Sequence, residues 1–267
     1  MNGRDLLESW WGEYELATGE TAEWDIGPLR VWLHRGPSEW RLAREWLDKN
    51  ETRGSNLVRN SAFPEGHIGS ERFAVSEVGP EVRLRPLSAD RAVVARPKTP
   101  FRVLPGHGSR VFMSSPLWVE VGVGAGPTVL CELPTERLSD TWFGATTRAG
   151  ELCYALKTNA RTNLGEMPRA ADRLLTPAVI ENRARDALVV ERLNLPVPFL
   201  SIYSGGTGEA WSEEVHMVRT EDGDTAELEV RAGPPEEAMG AKRLSAPRQI
   251  AEKGHLFRAF GSLLGFD

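Results

Sequence analysis

The feature that most constrains the fold is a two-residue alternation of apolar side chains between Leu117 and Thr158. The apolar residues of one parity are Leu117, Val119, Val121 and Val123, and after a Gly-Ala-Gly-Pro break they are Val129, Cys131 and Leu133. Alternation of this period, interrupted by glycine and proline, is typical of half-buried antiparallel strands joined by hairpins.

The same alternation recurs along most of the chain, and no helical periodicity comes between the strands, which argues against a parallel α/β sheet. We therefore predict an all-β protein built from two antiparallel β-sandwich modules. Residues 1–115 form a Trp-rich N-terminal β module and residues 116–235 a C-terminal β-sandwich module, with the boundary near Ser114-Ser115-Pro116.

The final segment, residues 236–267, is predicted to be a linker followed by an amphipathic helix. Its apolar side chains crowd one side of a helical wheel: Ile250, Leu256, Phe257, Phe260, Leu263 and Leu264. A terminal helix this apolar has to be covered by its own sheet, by a second copy or by a partner. Phe257 and Phe260 are therefore candidate binding residues.

Composition narrows the function classes. A net charge of −6 over 267 residues argues against a nucleic-acid surface, which needs a basic footprint. No apolar run is long enough for a transmembrane helix, and acidic residues occupy the place of a signal peptide's apolar region. With only Cys131 and Cys153, both expected to be unpaired and buried, the chain suits a reducing compartment, so we expect a cytoplasmic protein.

No pattern of reactive residues predicts chemistry. The five histidines are far apart and none lies near another histidine or a cysteine, so no metal site is predicted. Nucleophile elbows and complete phosphate loops are missing from the sequence. We therefore predict no catalytic residues and no cofactor.

Aromatic and arginine residues are densest between Arg137 and Tyr154. Trp142, Arg148 and Tyr154 are the candidate binding residues, since tryptophan, tyrosine and arginine dominate interaction hot spots. A purely structural role is the alternative, with Trp142 and Phe143 on the two sides of a strand.

The Phe143-Gly144 pair, followed five residues later by Gly150-Glu151-Leu152-Cys153, resembles the central segment of a prokaryotic family catalogued only as a domain of unknown function. Pro116–Val121 and the run from Val179 to Tyr203 are similar to that family as well. The resemblance covers about residues 90–230 and implies an all-β protein without an assigned activity. Genes of such proteins can neighbour small mechanosensitive channels, so the resemblance implies a membrane-associated channel protein as one candidate partner.

Three functions follow in order of preference. The first is a non-enzymatic protein-interaction or regulatory module that acts through a protein partner or a homo-oligomer. The second is a small-ligand or carbohydrate-binding module, because six of the nine tryptophans precede residue 47 and indole rings could line a groove, although core packing explains most of them. An enzyme is the third.

Overall fold

The structure is a computed structural model that describes residues 9–48, 55–75, 78–144, 146, 148–206, 208–220, 223–250 and 255–261, with the backbone alone at 157–159 and 255. These residues form 24 strands and three single-turn 3-10 helices, and they contain no α-helix. The 3-10 helices are Leu164–Glu166, Val197–Phe199 and Glu236–Ala238. The predicted all-β class is confirmed.

The strands up to residue 103 are β1 (Gly12–Glu15), β2 (Thr21–Ile26), β3 (Leu29–Arg35), β4 (Glu39–Trp46), β5 (Ser55–Arg59), β6 (Glu71–Ala74), β7 (Glu81–Leu87), β8 (Val93–Pro97) and β9 (Phe101–Val103). The next strands are β10 (His107–Pro116), β11 (Trp118–Val123), β12 (Thr128–Pro134), β13 (Ser139–Gly144), β14 (Gly150–Arg161), β15 (Arg173–Asn182), β16 (Leu188–Val190) and β17 (Arg192–Leu195). The last strands are β18 (Ile202–Ser204), β19 (Ala210–Trp211), β20 (Val215–Arg219), β21 (Thr225–Val230), β22 (Arg243–Ser245), β23 (His255–Arg258) and β24 (Phe260–Gly261).

The strands form four sheets. The five-stranded sheet has the order β5-β2-β3-β4-β6, the four-stranded sheet β1-β7-β11-β12, and β9 pairs with β16. The largest sheet runs β22-β18-β19-β15-β10-β14-β8-β17-β24, with β13 beside β14 and with β20, β21 and β23 continuing from β15. Most pairs are antiparallel, as predicted, but β14–β8, β15–β19 and β15–β20 are parallel, so the largest sheet is mixed.

One hydrophobic core contains side chains of the five-stranded and four-stranded sheets. Trp24 and Trp40 from the first sheet and Val82 and Val119 from the second are each at most 1% exposed. Trp10, just before β1, is buried in the same core and donates its indole N–H to the carbonyl of Ala171. The early tryptophans therefore serve mainly as core side chains.

A second core lies within the largest sheet and includes Val93, Met113, Ile180, Leu193 and Phe260. These side chains come from β8, β10, β15, β17 and β24, which are distant in sequence. The four-stranded sheet likewise combines β1 and β7 with β11 and β12 from the other side of residue 116. The division into modules at this residue and the sandwich arrangement stay predictions.

The predicted C-terminal amphipathic helix is wrong for the part of the segment that is described. Residues 255–258 form β23 on β21, and Phe260–Gly261 form β24 on β17. The apolar residues at 256, 257 and 260 fit helical spacing, but a run this short does not distinguish the two structures, and pairing with existing strands decides it. Ile250 is 90% exposed, while Leu263 and Leu264 lie outside the described residues.

Candidate functional site

The hairpin of β13 and β14 brings two of the predicted binding residues onto one face. Trp142 lies opposite Leu152 in the register, and Asp140 lies opposite Tyr154. Paired residues project to the same side of a sheet, so these four side chains share the outer face of the hairpin. The structure describes all nine tryptophans, and Trp142, at 43%, is the one in the exposed range; Leu152 is 46% exposed.

Two glycines shape the end of this hairpin. A Cβ at Gly144 would lie 2.2 Å from the carbonyl oxygen of Ala149, and one at Gly150 would lie 2.8 Å from Nε1 of Trp142. Only residues without a Cβ allow the strands to approach this closely. The indole N–H of Trp142 donates to the carbonyl of Thr146 at 2.8 Å, which fixes the ring on the outer face.

Arg148 lies in the turn of the hairpin and is exposed. Its backbone N–H bonds to the hydroxyl of Thr146 at 3.2 Å. Among the residues that the structure describes, its guanidinium forms no ion pair with a carboxylate. Arg148 is therefore an exposed cation in the turn between the strand of Trp142 and the strand of Leu152.

Tyr154, predicted as a binding residue, is fixed by contacts with three other side chains. Its hydroxyl donates to Asp90 at 2.9 Å, the guanidinium of Arg91 lies 5.2 Å from its ring centre, and the ring lies 5.5 Å from that of Trp118. Burial raises the pKa of the hydroxyl, and the bond to Asp90 raises it further. Tyr154 therefore anchors the hairpin to the segment before β8 and forms only the edge of an exposed patch.

We name the set Trp142, Arg148, Leu152 and Tyr154 the outer hairpin face. Leu152 was missed because its place depends on the register, which pairs it with Trp142. Counting the strand parity back from Tyr154 would have placed Leu152 on the same side. The patch combines an apolar centre with a free cation.

Phe257 and Phe260 do not join the outer hairpin face. Phe260 is fully buried in the core of the largest sheet, and Phe257, opposite Ala226, packs against the same core. The next residue, Gly261, contacts Phe143 on the inner side of the hairpin, where a Cβ would lie 3.1 Å from the ring. In this structure both phenylalanines are core residues.

Most of the early tryptophans are withdrawn into the core or covered by other side chains. Trp10, Trp24 and Trp40 are at most 2% exposed. The ring of Trp46 is covered by the guanidinium of Arg137 at 4.1 Å, and its N–H donates to the carbonyl of Pro134. One face of Trp46 is therefore covered by protein atoms, whereas Trp10 and Trp24 line an open pocket beside Tyr14.

Neither cysteine is placed for chemistry. Cys153 is buried and Cys131 half-buried, and both thiols are free. Burial raises the pKa of each thiol to about 12, so both stay protonated at neutral pH.

Within the described ranges, no three His, Cys, Asp or Glu side chains cluster in a way that could hold a metal ion. The same ranges contain no helix of the length and apolarity needed to span a bilayer.

Comparisons with known proteins identify the family of the chain and no individual relative. No curated protein and no solved structure matches the chain. Residues 10–265 match the family described as "Protein of unknown function (DUF432)". The match includes the Trp-rich start and the C-terminal strands, which the resemblance over residues 90–230 left out. Because it spans nearly the whole sequence, the chain belongs to the DUF432 family.

Proposed function

We propose that this protein is a non-enzymatic interaction or regulatory module that binds a protein partner through its outer hairpin face. The observation that supports the proposal is the cross-strand pair of Trp142 and Leu152, both more than two-fifths exposed. An exposed tryptophan beside an aliphatic side chain and a free arginine has the composition of an interaction hot spot.

The hairpin suits this role because its geometry is fixed before binding. The indole of Trp142 is oriented by its bond to Thr146, and Tyr154 ties β14 to Asp90. A side chain that is already ordered loses little conformational entropy when a partner covers it. Covering the exposed parts of Trp142 and Leu152 would contribute about 1–3 kcal/mol of binding free energy.

The chemistry of the patch favours a partner other than a second copy. Arg148 calls for an acidic group next to an apolar side chain on the partner. Asp140, which lies two positions from the apolar pair on the same face of the hairpin, already binds Arg91 at 3.1 Å. A second copy would present this carboxylate already paired with Arg91. A different protein with an available carboxylate therefore complements this face better than a second copy does. A membrane-associated channel protein, a candidate from the family resemblance, is one such partner.

We also propose that this protein is located in the cytoplasm, since its two cysteines are free thiols.

Quantitative capture from native lysate tests the proposal. Tagged wild-type protein is compared with Trp142→Ala, Leu152→Ser and Arg148→Ala, and with Val129→Ser as a control, because Val129 is equally exposed on β12. The expected result is a specific protein that the three hairpin variants lose and the control retains. The same protein, once purified, should bind wild type with an affinity that falls as salt rises, since Arg148 contributes a charge contact.

Other results would contradict the proposal. Equal capture by the hairpin variants and by Val129→Ser would exclude this face as the contact surface. A wild-type dimer in light scattering that dissociates on Trp142→Ala would identify a second copy as the occupant. Thermal melting of each variant checks that the loss of capture does not follow from unfolding.

A further inference from the structure

The inner side of the same hairpin borders a half-open pocket that the proposed interaction does not use. Strands β13, β14, β8, β17 and β24 follow one another in the sheet, yet Phe143 of β13 contacts Gly261 of β24. The sheet therefore curls back on itself here. The cavity inside the curl measures about 360 Å³ and is lined by Val94, Arg96, Ser139, Thr141, Ala155, Leu156 and Arg192.

Two arginines from neighbouring strands line this pocket side by side. Leu193 lies opposite Ala95 in the antiparallel pair of β17 and β8, so the next position places Arg192 opposite Arg96. Like charges at opposed positions of a strand pair repel and destabilise it. The pKa of Arg192 is lowered by burial and further lowered by the charge of Arg96. The two charges therefore lie near enough to repel each other.

Neither the exposed Arg96 nor the half-buried Arg192 forms an ion pair with a carboxylate in the part of the chain that is described. Partly buried arginines elsewhere bind carboxylates, as Arg30 binds Asp25 and Arg219 binds Asp186. Arg192 instead stacks on the ring of Phe143 at 5.0 Å, and its buried Nε–H has no acceptor. A buried charged donor without a partner is costly, so an anion that reached this Nε–H would gain a hydrogen bond.

The remaining lining completes a site for an anion with an apolar body. Ser139 and Thr141 alternate on β13 and line the cavity, and no described group is hydrogen-bonded to either hydroxyl. Val94, Ala155 and Leu156 provide an apolar wall. Two guanidinium forks and two hydroxyls supply more donors than one carboxylate accepts, whereas a phosphate dianion matches both the charge and the number of donors.

We propose that this cavity binds a small organic phosphate monoester, with its phosphate between Arg96 and Arg192 and its apolar body against Val94, Ala155 and Leu156. The nearest acid on the hairpin strands, Glu151, does not occupy this place, since it accepts a hydrogen bond from Asn194. The site lies on the opposite side of the hairpin from the outer hairpin face, so a failure of one proposal leaves the other intact.

Phenyl phosphate is the probe for the full-length protein, measured by calorimetry and by thermal melting in phosphate-free buffer. We expect saturable binding to wild type, with binding about tenfold or more weaker to Arg96→Gln and to Arg192→Gln. Thr141→Val should weaken it less. Arg102→Gln is the matched control, since Arg102 is an exposed arginine on β9, and it should bind like wild type.

The two arginine variants also separate binding from stability. Without ligand, Arg96→Gln removes the repulsion with Arg192, so its melting temperature should equal or exceed that of wild type. Adding phenyl phosphate should then raise the melting temperature of wild type and of Arg102→Gln but not that of Arg96→Gln. Absence of saturable binding to wild type, or equal binding by Arg96→Gln and Arg102→Gln, would overturn the proposal. Benzoate binding as tightly as phenyl phosphate would overturn the assignment to a phosphate.

Discussion

The carboxyl group of Asp172 lies directly over Gly27. A Cβ at Gly27 would come within 2.4 Å of Cγ of Asp172, and the backbone of Gly27 has a φ of +56°. Gly27 forms the turn between β2 and β3, while Asp172 immediately precedes β15. This contact joins the Trp-rich five-stranded sheet to the largest sheet at a point where no other residue type fits.

Gly27→Ala should therefore destabilise the protein by more than the cost of its backbone conformation. That cost is roughly 1–2 kcal/mol for an L-residue in the left-handed region, and the overlap with Asp172 adds to it. Gly19→Ala is the control, because Gly19 has a φ of +86° but no atom near its Cβ position. Urea unfolding of both variants measures the difference, and equal losses would show that the contact with Asp172 does not matter.

Asp172→Asn should stabilise the protein at neutral pH. Burial raises the pKa of Asp172 in the folded protein despite the opposing charge of Arg173. Folding therefore favours the protonated form, and this contribution is fully present below the unfolded pKa and lost as the pH rises through the folded pKa. An amide of the same shape carries no such penalty.

The pH dependence of this variant is the decisive measurement. The difference in unfolding free energy between Asp172→Asn and wild type should be small in acid and grow as the pH rises. Asp48→Asn, which changes an exposed carboxylate, should show no comparable growth. A difference that shrinks as the pH rises would contradict the expected sign.

The two C-terminal strands should contribute unequally to stability. Phe260→Ala removes a fully buried ring and should cost about 3–5 kcal/mol of unfolding free energy. Leu256→Ala removes a side chain of β23 that is 66% exposed, and the loss should stay within about 0.5 kcal/mol. An amphipathic helix with both residues on one apolar stripe would make the two losses similar. Chemical denaturation of the paired variants distinguishes these outcomes.

Both cysteines should react slowly with thiol reagents in the native protein. Raising the pKa from 9.0 to about 12 leaves about three orders of magnitude less thiolate at neutral pH. Labelling should be faster for the half-buried Cys131 than for Cys153, become complete on unfolding, and accelerate as the pH rises. Cys131→Ser and Cys153→Ser assign the two rates, and fast labelling of native Cys131→Ser would show that Cys153 is accessible.

The candidate site was only partly predictable. The local density of aromatic and arginine residues points to Trp142 and Arg148, since both residue types are common at hot spots. Leu152 was missed because its exposure depends on the pairing of β13 with β14. The sequence pattern places Phe257 and Phe260 on a docking helix, because their spacing fits a helix as well as a strand pair.

The alternation of apolar side chains by itself determined the all-β class and the positions of strands such as β11 and β12, because period-two burial is a local property of an extended chain. Only the tertiary structure decided which strands become neighbours. The parallel pair of β14 and β8, the two C-terminal strands and the meeting of Arg96 with Arg192 all depend on contacts between residues far apart in sequence. Local periodicity does not predict which strands pair, since the backbone of any strand offers the same hydrogen-bonding groups.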